Sequence, residues 1–213
     1  MNDTPDHTKV TEKPFAPASE RNREPILEVL RIHFADRQRV LEIGSGTGQH
    51  AVHFAAALAH LVWQTSERPE HLAGLRTWLD EAELPNTPPP LGLDVTDPAW
   101  PMSEYDAAFS ANTLHIMAWS EVEAMFRGLA RALKHGAIVA VYGPFNRDGH
   151  FTSESNQAFD RSLKQRAAHM GIRDLAAVDA LGATIGLQRI ADHAMPANNR
   201  LVVWRKQGLG ARG

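Results

Sequence analysis

The stretch Val40-Leu41-Glu42-Ile43-Gly44-Ser45-Gly46-Thr47-Gly48-Gln49-His50 decides the fold. Val40–Ile43 is a short apolar run that reads as a strand, and glycines follow it at once. Gly44 and Gly46 let the chain turn tightly and let a ligand approach the backbone. Gly48 opens the next helix with little bulk, and that helix extends to about Ala59. Leu61–Thr65 then reads as a second strand. Two familiar phosphate loops do not match. A dinucleotide loop usually carries glycine where this chain has Gln49, and the Lys-Ser/Thr of a nucleoside triphosphate loop is absent.

Outward from this stretch, strands and helices alternate. Upstream, Ile26, Leu27, Leu30 and Phe34 share helical spacing and predict a helix over Glu20–Ala35, with Pro25 in its first turn. Met1–Ser19 reads as a flexible arm. Downstream, Leu72, Leu75, Leu79 and Ala82 give a helix over His71–Leu84. Leu91–Leu93 and Tyr105–Ser110 are strand candidates. Ser120 and Glu123 look like a capping box for a helix whose Val122, Met125, Phe126, Leu129 and Leu133 lie on one face, with Gly136 as its stop. Ile138–Tyr142 reads as a buried strand. A polar loop over Gly143–Ser155 precedes a helix marked by Phe159, Leu163 and Met170. Asp174 caps a short helix through Leu181. Thr184–Ala191 and Leu201–Arg205 read as the last two strands, joined by the turn-rich Met195–Asn199 segment. At least four strand–helix alternations predict an α/β fold with a mostly parallel sheet covered by helices on both faces. The strand-only ending predicts a hairpin at one edge. The domain is expected over residues 20–206, with 207–213 as a flexible tail.

The composition narrows the function. The chain has 213 residues, 43% apolar and 22% charged, which fits one globular domain with a substantial core. A formal charge of -3 gives no bulk attraction for nucleic acid. With no cysteine, disulfides, cysteine nucleophiles and thiolate metal sites are excluded. The 11 histidines are scattered, and no local cluster predicts a metal. Met1–Pro17 lacks the apolar core of a secretory signal. Ile43–Ser66 has no Asp, Glu, Lys or Arg, but its three glycines, three histidines and two glutamines make a poor membrane helix. The expected location is the cytoplasm.

In an open parallel sheet, ligands bind beyond the C-terminal ends of the strands, so the residues there carry the chemistry. Glu67 closes the second strand and can accept both hydroxyls of a ribose. Asp94 follows the third, in Leu91-Gly92-Leu93-Asp94-Val95, and can accept from an adenine amino group. The glycine loop and the two acids together imply an adenosine-shaped cleft.

The Glu42–Gly48 segment resembles the first motif of class I S-adenosylmethionine-dependent methyltransferases. By that resemblance, Gly44, Ser45, Gly46, Thr47 and Gly48 hold S-adenosyl-L-methionine. Glu67 takes the ribose, Asp94 and Val95 frame the adenine, and Glu42 supports the loop or the amino-acid end of the cofactor. Glu20–Leu27, Ala111–Ile116, Tyr142–Phe145 and Pro196–Asn199 are similar to the signatures of one small methyltransferase-like family long catalogued as a domain of unknown function. The resemblance covers about residues 15–206. It implies a Rossmann-like three-layer αβα sandwich whose seven-stranded, mostly parallel sheet has an antiparallel last strand.

Methyl transfer from a sulfonium relies mainly on positioning and desolvation. Around the rim, Asn112 is a candidate for the cofactor's methionine portion. His115 can orient or deprotonate an acceptor, and with Tyr142 and Arg23 it forms the catalytic candidate set. Asn22, Arg23, His115, Tyr142, Asn146, Asn198 and Asn199 are the substrate-binding candidates. The acceptor is expected to enter between the N-terminal segment and the 143–155 loop. DNA and protein amide methyltransferases typically carry Asn/Asp-Pro-Pro-Tyr/Phe after strand four. This chain has Asn112-Thr113-Leu114-His115 there. A small-molecule acceptor is therefore expected rather than nucleic acid or membrane, with a protein side chain left open. The competing readings are a noncatalytic S-adenosylmethionine-binding or interaction module and an NAD-dependent oxidoreductase.

Overall fold

The computed structural model describes residues 13–102 and 104–207. The expected arm and tail lie largely outside them. In chain order the elements are α1 (Pro17–His33), β1 (Arg39–Ile43), α2 (Gln49–Ala57), β2 (Val62–Glu67), α3 (Leu72–Ala82), β3 (Leu91–Gly92), β4 (Tyr105–Ala111) and α4 (Trp119–Ala132). Then come β5 (Leu133–Gly143), β6 (Phe145–Asn146), α5 (Glu154–Arg166), β7 (Arg173–Asp174), α6 (Leu175–Ala183), β8 (Leu187–Met195) and β9 (Asn199–Lys206).

Seven strands form one sheet in the order β3-β2-β1-β4-β5-β9-β8. β1 to β5 pair in parallel, and β9 runs antiparallel to both β5 and β8. The last strand thus inserts beside β5, leaving β8 at the edge of the expected hairpin. β6 and β7 form a separate parallel pair.

The core follows from period-two alternation with apolar residues on both faces. Val40, Trp63, Phe109, Ala140 and Val203 pack with the buried faces of α1, α2 and α3. Leu41, Val139, Val141, Val202 and Trp204 pack on the other face against α4 and α6. Burying both faces fixes the register, because a one-residue slip would exchange the two cores.

Several local expectations shift. α1 begins at Pro17, so Pro25 lies past its second turn and removes one intrahelical hydrogen bond there. α4 begins at Trp119, and the Glu121 carboxylate, rather than Glu123, accepts from the Ala118 N–H at 2.6 Å. That satisfies a helix-start donor through the third helical residue. Gly136 does not stop α4. The chain passes from Ala132 straight into β5, and Gly136 takes φ +76 inside a bulge where β4 residues 105 and 107 pair with 133 and 138. Met170 lies beyond the end of α5. Asp174 does cap α6, accepting from the Ala176 N–H at 2.9 Å. Among the described residues no helix is long and apolar enough to cross a membrane.

Candidate active site

The loop after β1 is fixed to the end of β2. The N–H groups of Gly44 and Ser45 donate to the Ser66 carbonyl at 3.1 and 3.0 Å. Gly44 and Gly48 are glycines for two reasons. Their φ values are +70 and +91, and a Cβ would lie 2.9 Å from the Thr113 side chain and 2.8 Å from Leu75. Gly46 has φ +56 and open space before it. Its N–H donates to the Glu67 carboxylate at 2.8 Å, and the other Glu67 oxygen accepts from the Arg68 N–H.

Beneath the loop, Glu42 is buried and accepts from the Trp63 indole at 2.9 Å. Burial pushes its carboxyl up to about 7, partly offset by hydrogen bonds from Trp63 and Ser45. Gln49, at the first turn of α2, joins three segments. Its amide oxygen accepts from the Ala16 N–H at 2.6 Å and the Thr47 hydroxyl at 3.0 Å, and its amide nitrogen donates to Glu20 at 2.9 Å. The side chain that breaks the dinucleotide pattern thus ties the start of α1 to the glycine loop.

A cleft of about 730 Å³ opens at the C-terminal ends of β1 to β4. One part is lined by Gly44, Gly46 and Glu67, with Leu93 and Val95 after β3. Asn112 and Thr113 line its middle, Asn112 with φ +57 and its N–H bonded to the Tyr142 carbonyl at 2.8 Å. The remainder is walled by Ile116, Met117 and Ala118 after β4 and by His169 and Met170 before β7. Ile43, Arg68, His71, Ala111, Ser120 and Glu121 complete the lining. Sequence reading missed most of this wall. Ile116 closes the Ala111–Ile116 signature, and Met117 and Ala118 follow it directly. His169 and Met170 arrive through the β6–β7 pairing, which has no local sequence signal.

Asp94 does not line the cleft. Its carboxylate accepts from the Thr96 N–H at 2.9 Å and the Thr96 hydroxyl at 2.7 Å, closing the turn after β3. Those bonds first, and the more distant Arg68 charge, hold it below the usual carboxylate range.

The rim candidates are also engaged away from the cleft. The His115 ring is buried edge-on to Phe159 at 5.2 Å. Burial first, then the charges of Arg166 and Arg173, lower its pKa to about 4. Tyr142 is buried, and burial raises its pKa, partly offset by the Asn22 and Asn199 side chains beside its hydroxyl. The Asn22 amide oxygen in turn meets His50 Nε2 at 2.7 Å. His50 stacks on Phe54 at 5.2 Å, and burial lowers it to about 4. Arg23 pairs with Glu20 at 2.6 Å. The Asn198 amide donates to Ser155 at 3.0 Å. The Asn146 amide makes a 3.5 Å contact to the Ile172 carbonyl, while its oxygen is buried without a partner. The structure therefore brings Asn22, Tyr142 and Asn199 together, but as an interlock of α1, α2, β5 and β9. No group of three or more potential metal ligands occurs among the described residues.

The sheet order and antiparallel last strand define the Rossmann-like fold of class I S-adenosylmethionine-dependent methyltransferases. The chain belongs to the family described as "Protein of unknown function (DUF938)", whose model matches residues 13–206. Solved structures share the fold at low identity. The S-adenosylmethionine-dependent methyltransferase SibL in its apo form aligns with TM-score 0.75 and 22% identity, over 89% of this chain and 56% of that one. An O-methyltransferase family protein from Burkholderia thailandensis gives TM-score 0.76 and 15% identity, over 89% and 57%. The N,N-8-amino-8-demethyl-D-riboflavin dimethyltransferase RosA from Streptomyces davawensis gives 0.72 and 18%, over 89% and 55%. The chain spans a little over half the length of these structures.

Proposed function

We propose that the protein transfers a methyl group from S-adenosyl-L-methionine to a small-molecule acceptor. One observation carries this reading: an open cleft has a glycine loop, a ribose-type carboxylate and an apolar pair lining one part of it. Its volume is within the range of about 300–1,000 Å³ common for small-molecule sites. The Gly46 position, which a Cβ would leave uncontacted, gives a ligand room to approach the backbone.

The chain's residues fit the cofactor in definite roles. Glu67 accepts the ribose hydroxyls. Leu93 and Val95 flank the adenine. The Gly44–Gly46 backbone and Asn112 hold the amino-acid end. Glu42 braces the loop from below and does not touch the ligand. Ser45, Thr47 and Gly48 set the loop's shape. The bound cofactor supplies a methyl group activated by its sulfonium. The protein's share is to orient that end toward Asn112 and exclude water. Tyr142, Asn22, Arg23 and His115 support the frame around the site. The small-molecule acceptor agrees with the cleft's volume of about 730 Å³ and with the low-mass substrate named for a neighbour, RosA.

Calorimetry tests this first. S-adenosylmethionine and S-adenosylhomocysteine should bind, and NAD should not. Isotopic label from the cofactor's methyl group should then enter the low-mass fraction of a cell extract. Failure of either sulfur ligand to bind overturns the assignment. Binding with no label transferred to any fraction favours the noncatalytic module.

A further inference from the structure

The acceptor side of the cleft has a chemistry of its own. Its wall is Ile116, Met117, Ala118, His169 and Met170, drawn from two loops far apart in sequence. Ile116 is 42% exposed, so a large apolar side chain faces open space inside a concavity. The two methionines present a polarizable, adaptable surface.

The two loops are locked together through main-chain groups. The Gly171 N–H donates to the His115 carbonyl at 2.9 Å. The Arg173 guanidinium donates to the carbonyls of Leu114 at 3.1 Å, of His169 at 3.0 Å and of Met117. This fork spans both loops and fixes where Met117, His169 and Met170 stand. Among the described residues, the one arginine or lysine that lines the cleft is already paired. Arg68 is paired with Glu121 at 2.7 Å and lies 3.8 Å from Asp94. A second oxygen of Glu121 caps α4. An anionic acceptor would have to shed water with no unpaired arginine or lysine on the lining to receive it.

We propose that this wall is the acceptor subsite, that it takes an uncharged, mainly apolar ring-bearing molecule, and that the acceptor's hydroxyl or amine hydrogen-bonds to His169. The inference rests on the methyltransferase reading above. It moves the acceptor from the expected side, near Tyr142 and the 143–155 loop, to the loops after β4 and before β7. Arg173 is a positioning residue for that subsite.

The test uses 2-naphthol as the neutral probe and 2-naphthoate as its ionised counterpart, with the full chain saturated in S-adenosylhomocysteine. Calorimetry should show 2-naphthol binding, with 2-naphthoate weaker by about tenfold or more. Met170→Glu should weaken 2-naphthol by about tenfold or more, while Met170→Leu stays within about twofold. Both variants should bind S-adenosylhomocysteine within about twofold of the wild type, which also reports that they fold. His169→Phe should weaken 2-naphthol about threefold to tenfold. Absent 2-naphthol binding up to about 1 mM, equal binding of the two probes, or an unchanged Met170→Glu overturns the subsite. An unchanged His169→Phe overturns the hydrogen bond assigned to His169. If S-adenosylhomocysteine fails to bind the wild type, the methyltransferase reading falls first and this one with it.

Discussion

The glycine-loop side of the cleft and the Asn22–Tyr142–Asn199 interlock are both polar, and both lie at the C-terminal edge of the sheet. They differ in what their polar groups face. At the loop, Gly46 has open space before it and Glu67 reaches a cavity. In the interlock, Asn22 meets His50 at 2.7 Å, and Asn22 and Asn199 stand beside the buried Tyr142 hydroxyl. The first arrangement can exchange partners with a ligand. The second spends its hydrogen bonds on holding α1 and α2 against β5 and β9. Polar residues at strand ends therefore mark two different jobs, and only the geometry separates them.

The sharpest way to break the loop side is Gly44→Val. The position has φ +70, and even a Cβ meets Thr113 at 2.9 Å. Left-handed strain and the clash together cost about 3 kcal/mol. Calorimetry should show S-adenosylhomocysteine binding weakened by about a hundredfold or more. Gly46→Ala carries only the backbone strain, about 1 kcal/mol, and should bind much closer to the wild type.

Each region also buries a group whose pKa falls between about 4 and 7, and the two respond oppositely to pH. Glu42 under the loop has its pKa raised to about 7. Its contribution to stability is fully present below its unfolded value and is lost as pH rises through about 7. His50 in the interlock is lowered to about 4. Its contribution is present above its unfolded value and is lost as pH falls through about 4. Each amounts to about 3 kcal/mol at most. In urea titrations between pH 7 and 4, Glu42→Gln should steepen the loss of stability on acidification. His50→Gln should flatten it. The same slope in both variants would mean that neither buried group titrates as its surroundings dictate.

Glu67→Ala is the next effect in size. It removes the carboxylate that faces the cavity and should weaken cofactor binding about tenfold, or about 1.4 kcal/mol, while the lost bonds from the Gly46 and Arg68 N–H groups cost only about 0.5–1 kcal/mol of stability. Tyr142→Phe should do the reverse. Losing the buried hydroxyl beside Asn22 and Asn199 should cost about 1 kcal/mol of stability and leave calorimetric binding within about twofold. A Tyr142→Phe protein of normal stability with impaired binding would place the interlock in the site after all.

Much of this was legible in the sequence because periodicity and glycine spacing report directly on backbone demands. Alternating residues such as Val40 and Leu41 go to opposite cores, and Gly44 and Gly48 stand where no Cβ fits. Local signals misled where a neighbour supplied the missing group. Ser120 and Glu123 match a capping pattern, yet Glu121 does the capping. Gly136 looks like a helix stop, yet its positive φ makes a strand bulge. The acceptor wall was hidden for another reason. His169 and Met170 are ordinary in sequence and acquire a role only when Arg173 and the Gly171 N–H fasten them to residues 114–117.

Asp94 gives the smallest effect and the finest test of that contrast. Its place after β3 suggests an adenine contact, and a lost charged hydrogen bond would then weaken binding about tenfold or more. The structure gives both of its near bonds to Thr96 and leaves Val95 and Leu93 to face the cavity. Removing a half-exposed turn cap of this kind costs about 0.5–1 kcal/mol locally. Asp94→Ala should therefore lower the unfolding midpoint slightly and weaken S-adenosylhomocysteine by less than about threefold. Val95→Asp, which puts a charge on the lining itself, should weaken it more than Asp94→Ala does. A tenfold loss in Asp94→Ala at unchanged stability would show the carboxylate leaving Thr96 for the ligand, the same exchange of partners assigned to Glu67.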